Sequence, residues 1–505
     1  MAENDALSTL ASSAALVIVG GVFSAAGTLL ERVIIGNILS PAAYGEVSIA
    51  LTIMSVSVTV CLLGLSQGIP RYISRFEATE KKRGVWVSGI LVSFFTALVI
   101  AVLLYLNADF LATHLFERAN ATRLVRLFAV ALPCVTGLLI GVSGVRGMEN
   151  TIYKTYTKDL LYPFLRIVLV TVLLIFGFGV MAAGYAYIIA AAISFIVAHL
   201  LLNNLFPLVG RFELRVRELV RFSLPLVIAT LLASLLLRTD TVMLGYFRES
   251  FEVGQYSAAY PLGRGMLILL SSFGFMYLPL VSSLDAEGKR NEIDAIYATT
   301  TKWVYIGTFP AFVTMVFFSE DLLRIFFGAE YTPGGIALTI LAIGFFSNAI
   351  GGRNRETLSA LGHTRYVLLS NSIAFVLNIT LNLVLIPRYG FVGAAVASAV
   401  SIIFLNIFVC AILAFKFNIS PFSRWSVRTY VTLPLVLLAP FYVASQHLAL
   451  NAVLLLPFLL CVGILALVTV GAVGGFQPED QVVIDLIESK TGVQIPFVRQ
   501  YLPGE

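Results

Sequence analysis

The sequence predicts an all-α integral membrane protein of fourteen transmembrane helices, built as two six-helix repeats in parallel orientation with two further helices at the C-terminal end. Three observations lead there. The 505 residues are 59% hydrophobic and only 12% charged, too apolar for a chain whose surface is solvated by water throughout. Apolar runs of about 20 residues, the length that crosses the hydrocarbon of a bilayer, recur along nearly the whole chain. A set of glycines, prolines and acids also recurs at one fixed spacing.

Taken in order, the expected spans fall at 10–39, 46–68, 85–106, 124–145, 160–178 and 180–202. After a basic link they resume at 222–246, 256–281, 303–318, 334–351, 366–386 and 390–415, and 425–443 and 448–473 close the membrane part. The domains that follow are a first lobe over 1–210, a second over 211–418, the last two helices within 419–475 and a polar tail over 476–505. The first run follows the acidic stretch MAENDALST. It is longer than the apolar core of a signal peptide and lacks its basic flank, so it is read as a retained helix.

Lysine and arginine are retained on the cytoplasmic side of a membrane, which orients the chain. With the N-terminus inside, inner loops hold 21 of the 33 basic residues, Lys302 among them, and outer loops and their edges hold six. Fourteen spans return the C-terminus to the same side, with Lys490 and Arg499. Four arginines then remain inside spans: Arg32, Arg166, Arg238 and Arg264.

The repeat is visible when IIGNILSPAAYGEVSIA (34–50) is set above MLGYFRESFEVGQYSAA (243–259). At a spacing of 209 residues Gly36 meets Gly245, Gly45 meets Gly254 and Ser48 meets Ser257, while Pro70 meets Pro279, Gly184 meets Gly393 and Glu31 meets Asp240. An even number of spans separates the two copies, so both enter the membrane in the same direction, related by a pseudo-twofold axis along its normal.

A charge at the bilayer centre costs roughly 2.5–3.5 kcal/mol on insertion scales, so charges there have a use. Glu31, Arg32, Arg238, Asp240 and Arg264 are expected in the outer thirds of helices 1, 7 and 8, around one wet cavity. Arg166 is expected deeper toward the cytoplasm, and Arg71 follows Pro70 at the inner end of helix 2. Arg238 and Asp240 lie about 200° apart around a regular helix and so cannot face one point. The alternative is that these groups are structural ion pairs or snorkelling side chains. Four arginines against two acids give the cavity a positive balance, which suits an anionic substrate, and the planar guanidinium fork suits phosphate in particular. Two readings of Glu31 and Asp240 stay open: a site for a coupling cation, H+ or Na+, or the neutralisation of a nearby arginine. Gly36, Gly245, Pro70 and Pro279 are candidate bending points.

Other chemistries find no pattern. The sequence has no GxxxxGK[ST] loop, and none of His114, His199, His363 and His447 has a metal-ligand neighbour one helical turn on, so they read as interfacial or loop residues. No metal site, cofactor or nucleic-acid partner is expected. Cys61, Cys134, Cys410 and Cys461 stand in apolar runs and read as small core residues. A sequon at Asn120 falls in an outer loop.

Two segments, IPRYGFVGAAVASAVS (386–401) and GIPRYISRFEATEKKR (68–83), resemble the helix 11–12 junction and the first cytoplasmic loop of the polysaccharide and lipid-linked oligosaccharide flippases, and TDTVMLGYF (239–247) resembles their helix 7. These belong to the superfamily of the multidrug antiporters and the lipid II flippase. The resemblance covers nearly the whole chain and implies a monomeric, non-enzymatic flippase for a polyprenyl or dolichyl phosphate-linked glycan. It implies alternating access in the cell membrane, both termini in the cytoplasm, and contacts to membrane lipids. It places Arg32, Arg238 and Arg264 first on the phosphate, with Arg166 and Arg71 behind them. The style of the sequence resembles archaeal members, whose glycans are destined for surface-layer glycoproteins. Two other readings are a cation antiporter of the same fold, whose cavity is expected to be acid-rich, and a membrane glycosyltransferase or ligase, which calls for a large catalytic outer loop.

Overall fold

The computed structural model describes residues 2–116, 121–236, 238–272, 274–477 and 480, and every regular element among them is a helix. Asn120 of the sequon and the tail from 481 onward, with Lys490 and Arg499, lie outside the described residues. The chain forms two compact units, Met1–Ala258 with Asn382–Phe391, and Ala259–Leu381 with Val392–Glu505.

The first unit contains α1 (Ala2–Ile38), α2 (Pro41–Cys61), α3 (Leu65–Ile73), α4 (Thr79–Leu106), α5 (Ala108–Leu115), α6 (Ala121–Gly147) and α7 (Thr151–Lys154). A π-helix (Thr155–Leu161) joins α7 to α8 (Tyr162–Ile175), and α9 (Met181–Leu205), α10 (Val216–Leu236) and α11 (Thr239–Phe247) follow. Helix α6 is the centre of this unit, and its small residues explain how. A Cβ on Gly137, Gly141 or Gly144 would lie 2.7, 2.8 or 2.7 Å from Phe195, His199 or Leu202 of α9. Bare positions at one helical face let α6 and α9 approach closely, the packing that works where lipid removes the hydrophobic drive between helices. His199 is therefore a packed residue of α9, bonded through Nδ1 to the Phe195 carbonyl at 2.9 Å, and not an interfacial or loop histidine.

Helix α12 (Ser250–Gly265) runs from the first unit into the second, which continues with α13 (Leu267–Ser272), α14 (Gly274–Ala286), α15 (Arg290–Phe317) and α16 (Ser319–Phe327). After a 3-10 turn come α17 (Gly335–Gly351), α18 (Asn354–Ala360), α19 (Thr364–Phe417), α20 (Arg424–His447) and α21 (Ala452–Ala472). The 54 residues of α19 are two helices meeting at Gly390, where φ is 57° and ψ −135°. Only glycine fits there, since a Cβ would lie 1.7 Å from Oε2 of Glu252. Glu252 accepts from the Phe391 amide at 2.9 Å, and Arg248 donates to the carbonyls of Ile386 and Pro387 at 3.0 and 2.9 Å, so this pair fixes the IPRYG corner.

Helices lie along every stretch where a span is expected, with breaks inside several of them. Among the described residues nine helices are long and apolar enough to cross a membrane, or ten if α15 and α16, bent by 90° at Phe318, count as one span. Element boundaries repeat at the spacing of 209: α1 ends at Ile38 and α11 at Phe247, α2 begins at Pro41 and α12 at Ser250, α3 at Leu65 and α14 at Gly274. Three expectations need correction. Lys302 is no loop cation: α15 begins thirteen residues before the expected span, and Lys302 is fully buried against Asp480. The start of the polar tail is accordingly docked, with Trp303 Nε1 donating to Asp480 at 2.8 Å and Phe476 stacked on Trp303. Of the cysteines only Cys61 is buried, and Cys461 is exposed.

Candidate functional site

Within the first unit α1 lies along α8 and the π-helix because glycine faces them: a Cβ on Gly20 would lie 2.3 Å from Thr155, and one on Gly27 3.4 Å from Pro163. That approach brings Glu31 of α1 to Arg166 of α8, Oε2 to Nη2 at 2.9 Å, with Glu31 2% exposed. Arg166 is consequently not deeper than Glu31 but at its level. Chain position alone does not show this pairing, which the close approach of α1 to α8 brings about. Two tyrosines complete the shell of Arg166. Its Nη1 donates to the Tyr187 hydroxyl at 2.8 Å, and its guanidinium carbon lies 4.8 Å from the ring centres of both Tyr162 and Tyr187. Arg32 points to the neighbourhood of Tyr44 and Tyr187, and the Tyr44 hydroxyl donates to the Ser257 carbonyl at 3.1 Å. One guanidinium is thus paired with the carboxylate and a second stands beside it among the phenols.

The second acid is held otherwise. Asp240 in the first turn of α11 is 1% exposed and accepts from the Tyr256 hydroxyl at 2.7 Å and the Asn382 amide at 2.6 Å. Arg238 is the N-cap residue of α11, with φ −136° and ψ −14°, so α10 and α11 are not one helix. The 200° separation expected from an unbroken helix therefore does not apply, and Arg238 is half-buried at the break.

The remaining positions are dispersed. Arg71 is exposed at the end of α3 with its guanidinium 4.2 Å over the Phe222 ring, a cation–π contact away from the buried pair. Arg264 is exposed near the end of α12 in the second unit. Gly36 is buried in α1, and a Cβ on Gly245 would lie 2.7 Å from Ile49, so Gly245 serves close packing. Pro70 and Pro279 lie inside α3 and α14, and the backbone leaves the helix earlier, at Leu63 and Gly64, whose φ values are 45° and 71°. Sequence reasoning missed Tyr44, Tyr187, Tyr256 and Asn382. Asn382 carried a signal, an amide in an apolar run, whereas the tyrosines look like ordinary apolar-span residues until the helices are packed.

The repeat has a structural counterpart here. Gly45 of α2 abuts the carbonyl of Ser250, where a Cβ would lie 1.9 Å from oxygen, and Gly254 of α12 abuts the carbonyl of Pro41, where it would lie at 2.0 Å. Each glycine touches the residue that begins the other helix, so the contact is reciprocal at the spacing of 209.

A family model described as polysaccharide biosynthesis protein matches residues 10–285, and one described as MatE matches 225–384. The chain is 28% identical over 162 residues to the "Probable low-salt glycan biosynthesis flippase Agl15" of Haloferax volcanii, covering 32% of this chain and 34% of that protein, about a third of its length. It is 23% identical over 436 residues to an "Uncharacterized membrane protein" of Methanocaldococcus jannaschii, covering 81% of this chain and 100% of that one. The solved structure "Lipid II flippase MurJ, inward closed conformation" matches with a TM-score of 0.71 at 15% identity, over 93% of this chain and 99% of that chain, and so shares the fold.

Proposed function

The chain belongs to the polysaccharide biosynthesis protein family, and from that premise we propose that it is a flippase carrying a lipid-linked oligosaccharide from the cytoplasmic to the outer face of the cell membrane. On this reading the chain crosses the membrane fourteen times with both termini inside and works by alternating access. The physical need is plain: each unsatisfied polar group moved into hydrocarbon costs several kcal/mol, and a glycan headgroup carries many. One observation carries the reading. Arg32 and Arg166 are held inside the first unit around a single carboxylate, Glu31, with tyrosine hydroxyls beside them, a setting with surplus positive charge and donors for phosphoryl oxygens. Arg238, Arg264 and Arg71 are assigned to the same headgroup at other stages of passage.

A coupling cation, H+ or Na+, is assigned to the two buried acids, Glu31 and Asp240. The relative named as a glycan biosynthesis flippase and the fold shared with a lipid II flippase support the substrate class. Deleting the gene and assaying lipid-linked glycans on each membrane face tests the reading. Accumulation of complete glycan inside with loss outside is expected. Unchanged sidedness with a truncated glycan would instead identify a transferase.

A further inference from the structure

Lys154, Lys158, Tyr162 and Arg166 stand at a constant spacing of four residues along α7, the π-helix and α8. In a regular α-helix that spacing overshoots each turn by about 40°, so a row of four would wind away from itself. The π-helix turns less per residue, closing its bonds from i to i+5, and offsets that drift between Thr155 and Leu161. The row is thereby kept nearly straight. Membrane lipid is not what it faces: Tyr156, Phe164, Val168 and Val172 form the exposed apolar stripe of the same helix, two residues out of step and so about half a turn away. Lys158 is nevertheless exposed. Lys158 precedes the expected span over 160–178, so its ammonium stands at the inner membrane boundary, partly desolvated by the packed chain around it.

The charges along the row are arranged unevenly. Lys154 is tied to the buried Asp159, Nζ to Oδ2 at 2.6 Å. Lys158 keeps two cations for neighbours, Lys154 and Arg146 of the last turn of α6, against the one carboxylate of Asp159. At the far end Arg166 is paired with Glu31, yet its buried Nε has no partner among the described residues. Crowded cations at the start and an unused donor at the end are what an anion would satisfy.

We propose that this row is a phosphoryl rail: it captures the phosphate or diphosphate of the lipid carrier at Lys158 and Arg146, at the inner end of the helix, and hands it along Tyr162 to Arg166. The proposal rests on the flippase reading and deepens it by placing the capture step.

The test uses the full-length chain in zwitterionic liposomes with a fluorescent polyprenyl diphosphate-linked oligosaccharide. Lys158→Ala is expected to raise the half-saturating mole fraction about tenfold, the loss of one charge-assisted bond, with the maximal rate nearly unchanged, and Lys158→Arg to restore it. Equal half-saturation in wild type and Lys158→Ala overturns the rail. So does a difference that vanishes once anionic phosphatidylglycerol is added, because the row would then take bulk headgroups. A separate arm measures protection of the purified chain against heat by inorganic pyrophosphate, expected in wild type and lost in Lys158→Glu; equal protection in both overturns the rail. A wild-type chain that shows this protection yet moves no glycolipid would sink the flippase reading alone.

Discussion

Glu31 and Asp240 occupy matching places in the two repeats, both at most 2% exposed, and they have been put to different uses. Glu31 is the counter-ion of Arg166, so its charge is needed for that guanidinium to remain where it is. Asp240 accepts from a phenol and an amide, Tyr256 and Asn382. By contrast, Gly45 and Gly254 have stayed equivalent, each pressed against the first carbonyl of the other's helix. The difference teaches what duplication conserves. A glycine whose Cβ would stand about 2 Å from a backbone carbonyl oxygen resists replacement, whereas a buried acid can be satisfied by several kinds of donor and can diverge.

The largest expected effect breaks the first member of that comparison. Glu31→Ala leaves the Arg166 guanidinium buried without its anion, and removing one partner of a buried ion pair costs about 3–5 kcal/mol. The yield of folded, monodisperse protein in detergent should fall sharply. Adding Arg166→Met to Glu31→Ala should recover much of that yield, since the charge and its counter-ion leave together. If Glu31→Ala alone folds like wild type, the pair is not what fixes α1 to α8.

Next come the glycines, where equivalence itself is at stake. Gly45→Ala and Gly254→Ala each force a methyl group against a backbone carbonyl, an overpacking worth about 1–3 kcal/mol. Thermal unfolding should show comparable losses for the two single variants. The double variant should cost less than their sum, because one separation of α2 from α12 relieves both clashes. A silent member of the pair would mean that the reciprocal contact is looser than it stands.

Much of this could be read in the chain. The all-helical, multi-span class and the repeat follow from composition and spacing, and the repeat reaches down to boundaries such as Pro41 and Ser250. Arg166 and Glu31 are also legible as buried charges, but their partnership is not: it depends on Gly20 and Gly27 letting α1 approach. Lys302 was misplaced for a related reason. Hydropathy marks where a helix becomes apolar, and α15 starts at Arg290 in a polar stretch and carries Lys302 inward to Asp480. The break before Arg238 was hidden too, since LLRTDT reads as continuous helix until packing decides otherwise.

The smallest expected change in stability belongs to Asp240→Asn, and it sharpens the comparison most. An asparagine can keep both contacts: its carbonyl oxygen accepts from Asn382, and its amide donates to Tyr256, whose hydroxyl turns from donor to acceptor. The cost to the fold should therefore stay below about 1 kcal/mol, a net hydrogen bond or less. A protonated aspartate, like asparagine, offers Asn382 a carbonyl acceptor and Tyr256 a donor, so these two contacts survive the loss of charge. That tolerance is what a coupling site requires, because its charge must come and go while the helices stay packed. Transport by Asp240→Asn in liposomes should lose its response to an imposed proton or sodium gradient while substrate binding persists. Full retention of the response would remove Asp240 from coupling, and loss of folded protein would make it a structural acid of the same kind as Glu31.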